Sequence, residues 1–89
     1  MIFILDMNYK IYYYYSPTCK ACKDYLDSVE KVCKALRIEL EKHSINGYKP
    51  QHKIDGVPCV ILENNGVELY RSLGNLPFQH LYKDIKSFI

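Results

Sequence analysis

Apolar residues change their spacing from segment to segment along this chain, and the spacing predicts the elements. Ile11-Tyr12-Tyr13-Tyr14-Tyr15 is continuous and rich in residues that favour extended backbone, so residues 11–15 read as a strand. One face carries Ile11, Tyr13 and Tyr15 and the other Tyr12 and Tyr14; neither is polar, as suits a strand covered on both sides. Ser16-Pro17-Thr18 ends it with a turn. From Lys20 to Leu36 the spacing becomes helical. Ala21, Tyr25, Val29, Val32 and Leu36 form a stripe, widened by Leu26 and Cys33, while Asp24, Asp27, Glu30, Lys31 and Lys34 supply a wet face.

A second strand is predicted over residues 38–42, where Ile38 and Leu40 alternate with acids. Residues 43–55, with Gly47 and Pro50, read as a loop holding one short helix. Residues 57–62 form the clearest strand, and Asn64-Asn65-Gly66 signals a hairpin into its antiparallel partner, Val67–Leu73. Gly74-Asn75-Leu76-Pro77 leads into a last helix, with Pro77 near its first turn and Phe78, Leu81, Ile85 and Phe88 facing the core. The order is strand, helix, strand, loop, hairpin, helix. Nothing repeats and no composition break appears, so residues 1–89 read as one domain.

Composition narrows the function classes. The chain has 89 residues, enough for one core with little to spare. A net charge of +2, with lysines scattered among acids, gives no case for nucleic-acid binding. The N-terminal Met1-Ile2-Phe3-Ile4-Leu5 stops at Asp6, too short for an export signal or a membrane span. No membrane association is expected, and a cytoplasmic, monomeric protein is. In that setting thiols stay reduced, so four cysteines point to catalysis or metal binding rather than a structural disulfide framework.

Cys19-Lys20-Ala21-Cys22 is the candidate chemistry. Two thiols at this spacing, following a strand and opening a helix, are first read as a dithiol redox motif. A thiol at a helix N-terminus meets unpaired backbone N–H groups and the positive end of the helix dipole, both of which favour thiolate. Cys22 shares a face with Leu26, Val29 and Cys33 and is expected to point inward. Cys19, at the cap, is expected to be the more exposed.

Three separated segments resemble the thioredoxin family: Ser16-Pro17-Thr18-Cys19-Lys20-Ala21-Cys22, then Ile54-Asp55-Gly56-Val57-Pro58, then the hairpin through Asn65-Gly66 into Gly74-Asn75-Leu76. The resemblance spans most of the chain from Lys10 onward. It implies an α/β, thioredoxin-like fold with a central four-stranded mixed sheet flanked by helices. It also implies thiol–disulfide exchange on protein disulfides, with Cys19 attacking and Cys22 resolving. Pro58 would be the family's cis-proline, and the backbone of Val57 would pair with an extended substrate segment. Thr18 and Lys20 would tune the thiols, while Lys23 reads as a solvated helix start. No cofactor beyond the Cys19–Cys22 pair and no metal is implied. The partners would be a disulfide-containing protein and a reductase such as thioredoxin reductase, or glutathione.

The chain departs from the family pattern at the site itself. Thr18 stands where a tryptophan is typical, Lys20-Ala21 replaces Gly-Pro, and Tyr13 occupies the place of a buried acid. Two alternatives therefore stay open. One is a glutathione-dependent, glutaredoxin-like enzyme, although the lone Gly74 leaves the glutathione signature incomplete. The other is a non-catalytic module whose cysteines are structural or bind zinc; zinc needs four ligands, and no second close Cys or His pair exists. Cys33 reads as a buried small hydrophobe, Cys59 as core or as a third thiol near the pair, and His43 and His52 carry no assigned role.

Overall fold

The tyrosine-rich run lies in the middle of the sheet. The computed structural model describes residues 8–47 and 52–89, so the N-terminal apolar stretch at residues 1–5 and Pro50 fall outside the described residues. The elements are β1 (Tyr9–Tyr15), α1 (Lys20–Leu36), β2 (Glu39–Ser44), a short 3-10 helix (Ile45–Gly47), β3 (Cys59–Asn64), β4 (Val67–Leu73) and α2 (Phe78–Lys86). The sheet order is β2-β1-β3-β4. β1 runs parallel to β2 and antiparallel to β3, and β3 and β4 are antiparallel, so the sheet is mixed.

Burial explains why β1 needs two apolar faces. Ile11, Tyr12, Tyr13 and Tyr14 are all buried. Ile11 and Tyr13, with Val60 and Leu62 of β3, pack against Tyr25, Val29, Val32 and Cys33 of α1 and Leu81 and Ile85 of α2. Both helices therefore cover the same face. On the other face Tyr12, Tyr14, Cys59 and Ile61 form a second cluster, closed over by Ile54 and Val57. Each Ile, Leu or Val sealed in this way contributes about 1.5–3 kcal/mol.

Several sequence expectations shift in the structure. β2 starts one residue later than expected and runs on to Ser44, because parallel pairing with β1 continues to Tyr15. β3 starts at Cys59 rather than residue 57; Pro58 has no N–H to give a ladder, and the Val57–Pro58 bond is cis. Ala21 is exposed, on the outer side of the first turn of α1. Phe88 lies beyond the end of α2 and is 42% exposed, while Phe78 is half-buried against the core. The hairpin turn has Asn65 at φ 53° and Gly66 at φ 84°, the pair of positive values that a two-residue turn between twisted strands requires.

Candidate functional site

The loop from β1 to α1 is a tight turn that delivers Cys19 to the helix start. Pro17 fits its second position, and the Cys19 N–H donates to the Ser16 carbonyl at 3.0 Å. The Ser16 and Thr18 hydroxyls lie 3.2 Å apart, and the Thr18 N–H reaches the Ser16 hydroxyl at 3.4 Å. Cys19 is the N-cap of α1, with extended backbone, and its Sγ accepts the Cys22 N–H at 3.0 Å. Sulfur thus takes the place that a serine or aspartate oxygen usually fills.

Cys19 and Cys22 are joined by a disulfide, with Cα atoms 5.2 Å apart. Cys22 is 2% exposed and belongs to the helix-side core, whereas Cys19 is half-buried at its edge. Beneath the pair, the Tyr13 hydroxyl donates to the Cys22 carbonyl. Burial, followed by neighbouring Tyr25, pushes the Tyr13 hydroxyl up to about 12, so at neutral pH it acts as a donor. Thr18 and Lys20 are both exposed beside the pair.

Pro58 comes to the same end of the sheet by register. Cys59 pairs with Tyr14, so Pro58, one residue earlier, stands level with Tyr15, where β1 feeds the turn to Cys19. The Gly74 N–H donates to the Pro58 carbonyl at 2.8 Å, tying the end of β4 to this corner. Gly74 has φ +92°, which an L-residue rarely adopts. Val57 is half-buried and packs against both clusters.

The remaining cysteines are sealed in separate places. Cys33 lies in the helix-side core, where burial pushes its thiol up to about 12. Cys59 sits in the second cluster on the opposite face, and burial raises it as well. Both are thus kept as neutral thiols near pH 7. Among the described residues no group of three or more His, Cys, Asp or Glu side chains is arranged to hold a metal ion. No described helix is long and apolar enough to cross a membrane.

Solved structures share this fold. Thioredoxin 1 from the thermophilic eubacterium Thermosipho africanus matches with a TM-score of 0.78 at 24% identity, over 89% of this chain and 92% of that one. A mutant thioredoxin from Halobacterium salinarum matches at 0.82 and 19% identity, over 93% and 76%. This is the thioredoxin fold. Thioredoxin-2 of the malaria parasite, described as a component of its protein secretion machinery, also shares the fold, with a TM-score of 0.79, 22% identity and coverage of 91% and 84%. No family model and no curated protein matches the sequence.

On this thioredoxin fold, two buried polar residues stand out that sequence reasoning left without a role. His52 is 1% exposed; its Nδ1 lies 2.5 Å from the Tyr14 hydroxyl and its Nε2 2.5 Å from a Glu63 carboxylate oxygen. The bridge fastens the segment before Pro58 to β1 and β3. Glu63 directly follows the apolar Val60-Ile61-Leu62, and an acid closing such a run was the one available signal.

Proposed function

We propose that this protein is a thiol–disulfide oxidoreductase that reduces protein disulfides. One observation carries the reading: the Cys19 sulfur caps α1 and accepts the Cys22 N–H, a geometry that favours thiolate at Cys19 once the pair is reduced. The deeper position of Cys22 supports a division of labour between the two thiols.

In the proposed cycle the Cys19 thiolate attacks a substrate disulfide. A Cys19–substrate S–S bond forms, the substrate S–S bond breaks, and the departing sulfur takes up a proton. The Cys22 thiol then loses its proton and attacks the Cys19 sulfur, forming Cys19–Cys22 and releasing the second substrate thiol. Two electrons have passed to the substrate, and the electron store is the cysteine pair itself. In this reading Val57 and Pro58, at the end of the sheet where β1 feeds the turn to Cys19, receive the substrate, with the Val57 backbone pairing to its extended segment. Thr18 and Lys20 modulate the thiolate from the exposed side. A reductase of the thioredoxin reductase kind, or glutathione, restores the dithiol, as suits a reducing compartment such as the cytoplasm.

Reduction of a protein disulfide by the purified protein, with dithiothreitol as electron source, tests the reading. Cys19→Ser lowers turnover by at least about a thousandfold. Cys22→Ser accumulates a Cys19–substrate mixed disulfide, visible by mass spectrometry. A Cys19→Ser protein of full activity would sink the proposal.

A further inference from the structure

A cavity of about 220 Å³ opens beside Cys22, walled by Tyr13, Tyr15, Pro17 and Leu26. The exchange chemistry makes no use of it. An apolar cavity of about 150 Å³ accommodates a benzene ring, so this one has room for a leucine or phenylalanine side chain.

The charges at its edge share one sign. Lys23 and Lys42 line it, and no acid does among the described lining residues. Lys42 shares its charge with Glu30 at 3.5 Å, whereas Lys23 has no ion pair among the described residues. The start of α1 adds to the field. Acids are favoured in the first turn of a helix because they offset its dipole, yet here that turn contains none and Lys20 and Lys23 stand at the helix start. The charge left unpaired is thus that of Lys23, beside the disulfide and at the edge of an apolar hollow, with Lys42 partly offset by Glu30.

We propose that this cavity is a substrate subsite that seats an apolar side chain of the protein substrate, with an acidic residue beside it facing Lys23 and Lys42. The inference rests on the oxidoreductase reading and adds the substrate class: polypeptides whose disulfide is flanked by an acidic-apolar segment. Exposed charges of this kind act mainly on association rate and on choice between partners.

The experiment mixes prereduced protein with synthetic peptide disulfides in single-turnover stopped flow. The residues beside the reactive cysteine are Glu-Phe, Lys-Phe or Glu-Ala, and hydroxyethyl disulfide and glutathione disulfide serve as separate arms. The Glu-Phe peptide is expected to react about tenfold faster than Lys-Phe at low salt, the sum of several exposed charge contacts. The ratio falls toward one in 1 M salt, where the screening length is about 3 Å. Lys23→Glu narrows or reverses the preference, and Glu-Ala reacts severalfold more slowly than Glu-Phe. Equal rates for Glu-Phe and Lys-Phe, or a preference untouched by Lys23→Glu, overturn the proposal. Equal rates for Glu-Phe and Glu-Ala remove the cavity from it. Glutathione disulfide reacting faster than every peptide overturns the assignment to polypeptides. Failure of the protein to react even with hydroxyethyl disulfide overturns the oxidoreductase reading, and this inference falls with it.

Discussion

Tyr13 and Cys33 carry ionisable groups that the core keeps protonated, and this sets how the protein responds to alkali. Burial raises Cys33 from an ordinary 9.0 to about 12, and Tyr13 from 10.0 to about 12. As pH rises, the unfolded chain loses these protons first. Their contribution to stability is therefore complete below about pH 9 and is lost as pH climbs toward about 12. The urea midpoint of the protein falls from pH 9 to pH 11, and that of Cys33→Ala falls less steeply over the same window. Tyr13→Phe loses the hydrogen bond to the Cys22 carbonyl and about 1 kcal/mol of stability, measured by the same titration at pH 7. At this scale the sequence was legible where a residue's neighbours along the chain determine its surroundings. The inward Cys22 and the half-exposed Cys19 follow from helical spacing alone. His52 was not legible, because its partners, Tyr14 and Glu63, reach it through tertiary packing.

Among the elements, α1 matches its sequence pattern from Lys20 to Leu36, and its two ends obey different rules. Its first turn is closed by the Cys19 sulfur. Its last turn ends at Arg37, which adopts φ 56° and ψ 47° while its N–H reaches the carbonyls of Cys33 and Lys34. Glycine is the usual residue in that left-handed position, since a side chain there is sterically costly. Arg37→Gly is expected to stabilise the protein by about 0.5–1 kcal/mol; in a domain of this size 1 kcal/mol raises the thermal midpoint by about 4–8 °C. Calorimetry of the variant checks this. No Gly or Pro marks the end of α1, and only the end of the apolar stripe at Leu36 signals it in the sequence. Strand ends are less sharply marked in the sequence. Apolar character at Val57 and Pro58 resembled strand, but ladder bonding began only at Cys59. The polar His43 and Ser44 resembled loop, yet pairing with Tyr14 and Tyr15 holds them in β2.

The whole molecule has two cores on one sheet, and they are held by different means. The helix-side core is an apolar interior spanned by two helices. The opposite cluster is smaller and is fastened by the Tyr14–His52–Glu63 bridge, with Glu63 5% exposed. Removing one member leaves a buried polar partner unsatisfied. Glu63→Ala is expected to cost about 3 kcal/mol, read from the urea midpoint, with part of the loss recovered in the double variant His52→Leu, Glu63→Leu. The existence of two cores was legible in the two apolar faces of residues 11–15. The polar fastening was not, since the sequence separates His52 from Tyr14 by 38 positions.

The cysteine cap has a thermodynamic consequence. A cap acceptor normally keeps one chemical identity throughout the life of a helix, whereas the proposed cycle would switch this one between the disulfide sulfur seen here and a thiol or thiolate. The anion is the stronger acceptor, so the first turn of α1 is held more firmly in the reduced, ionised form. Folding and electron transfer then share a thermodynamic cycle: any change that favours the capped helix in one redox state more than the other must appear as an equal change in reduction potential. A substitution near the start of α1 is read by a voltmeter as well as by a denaturant.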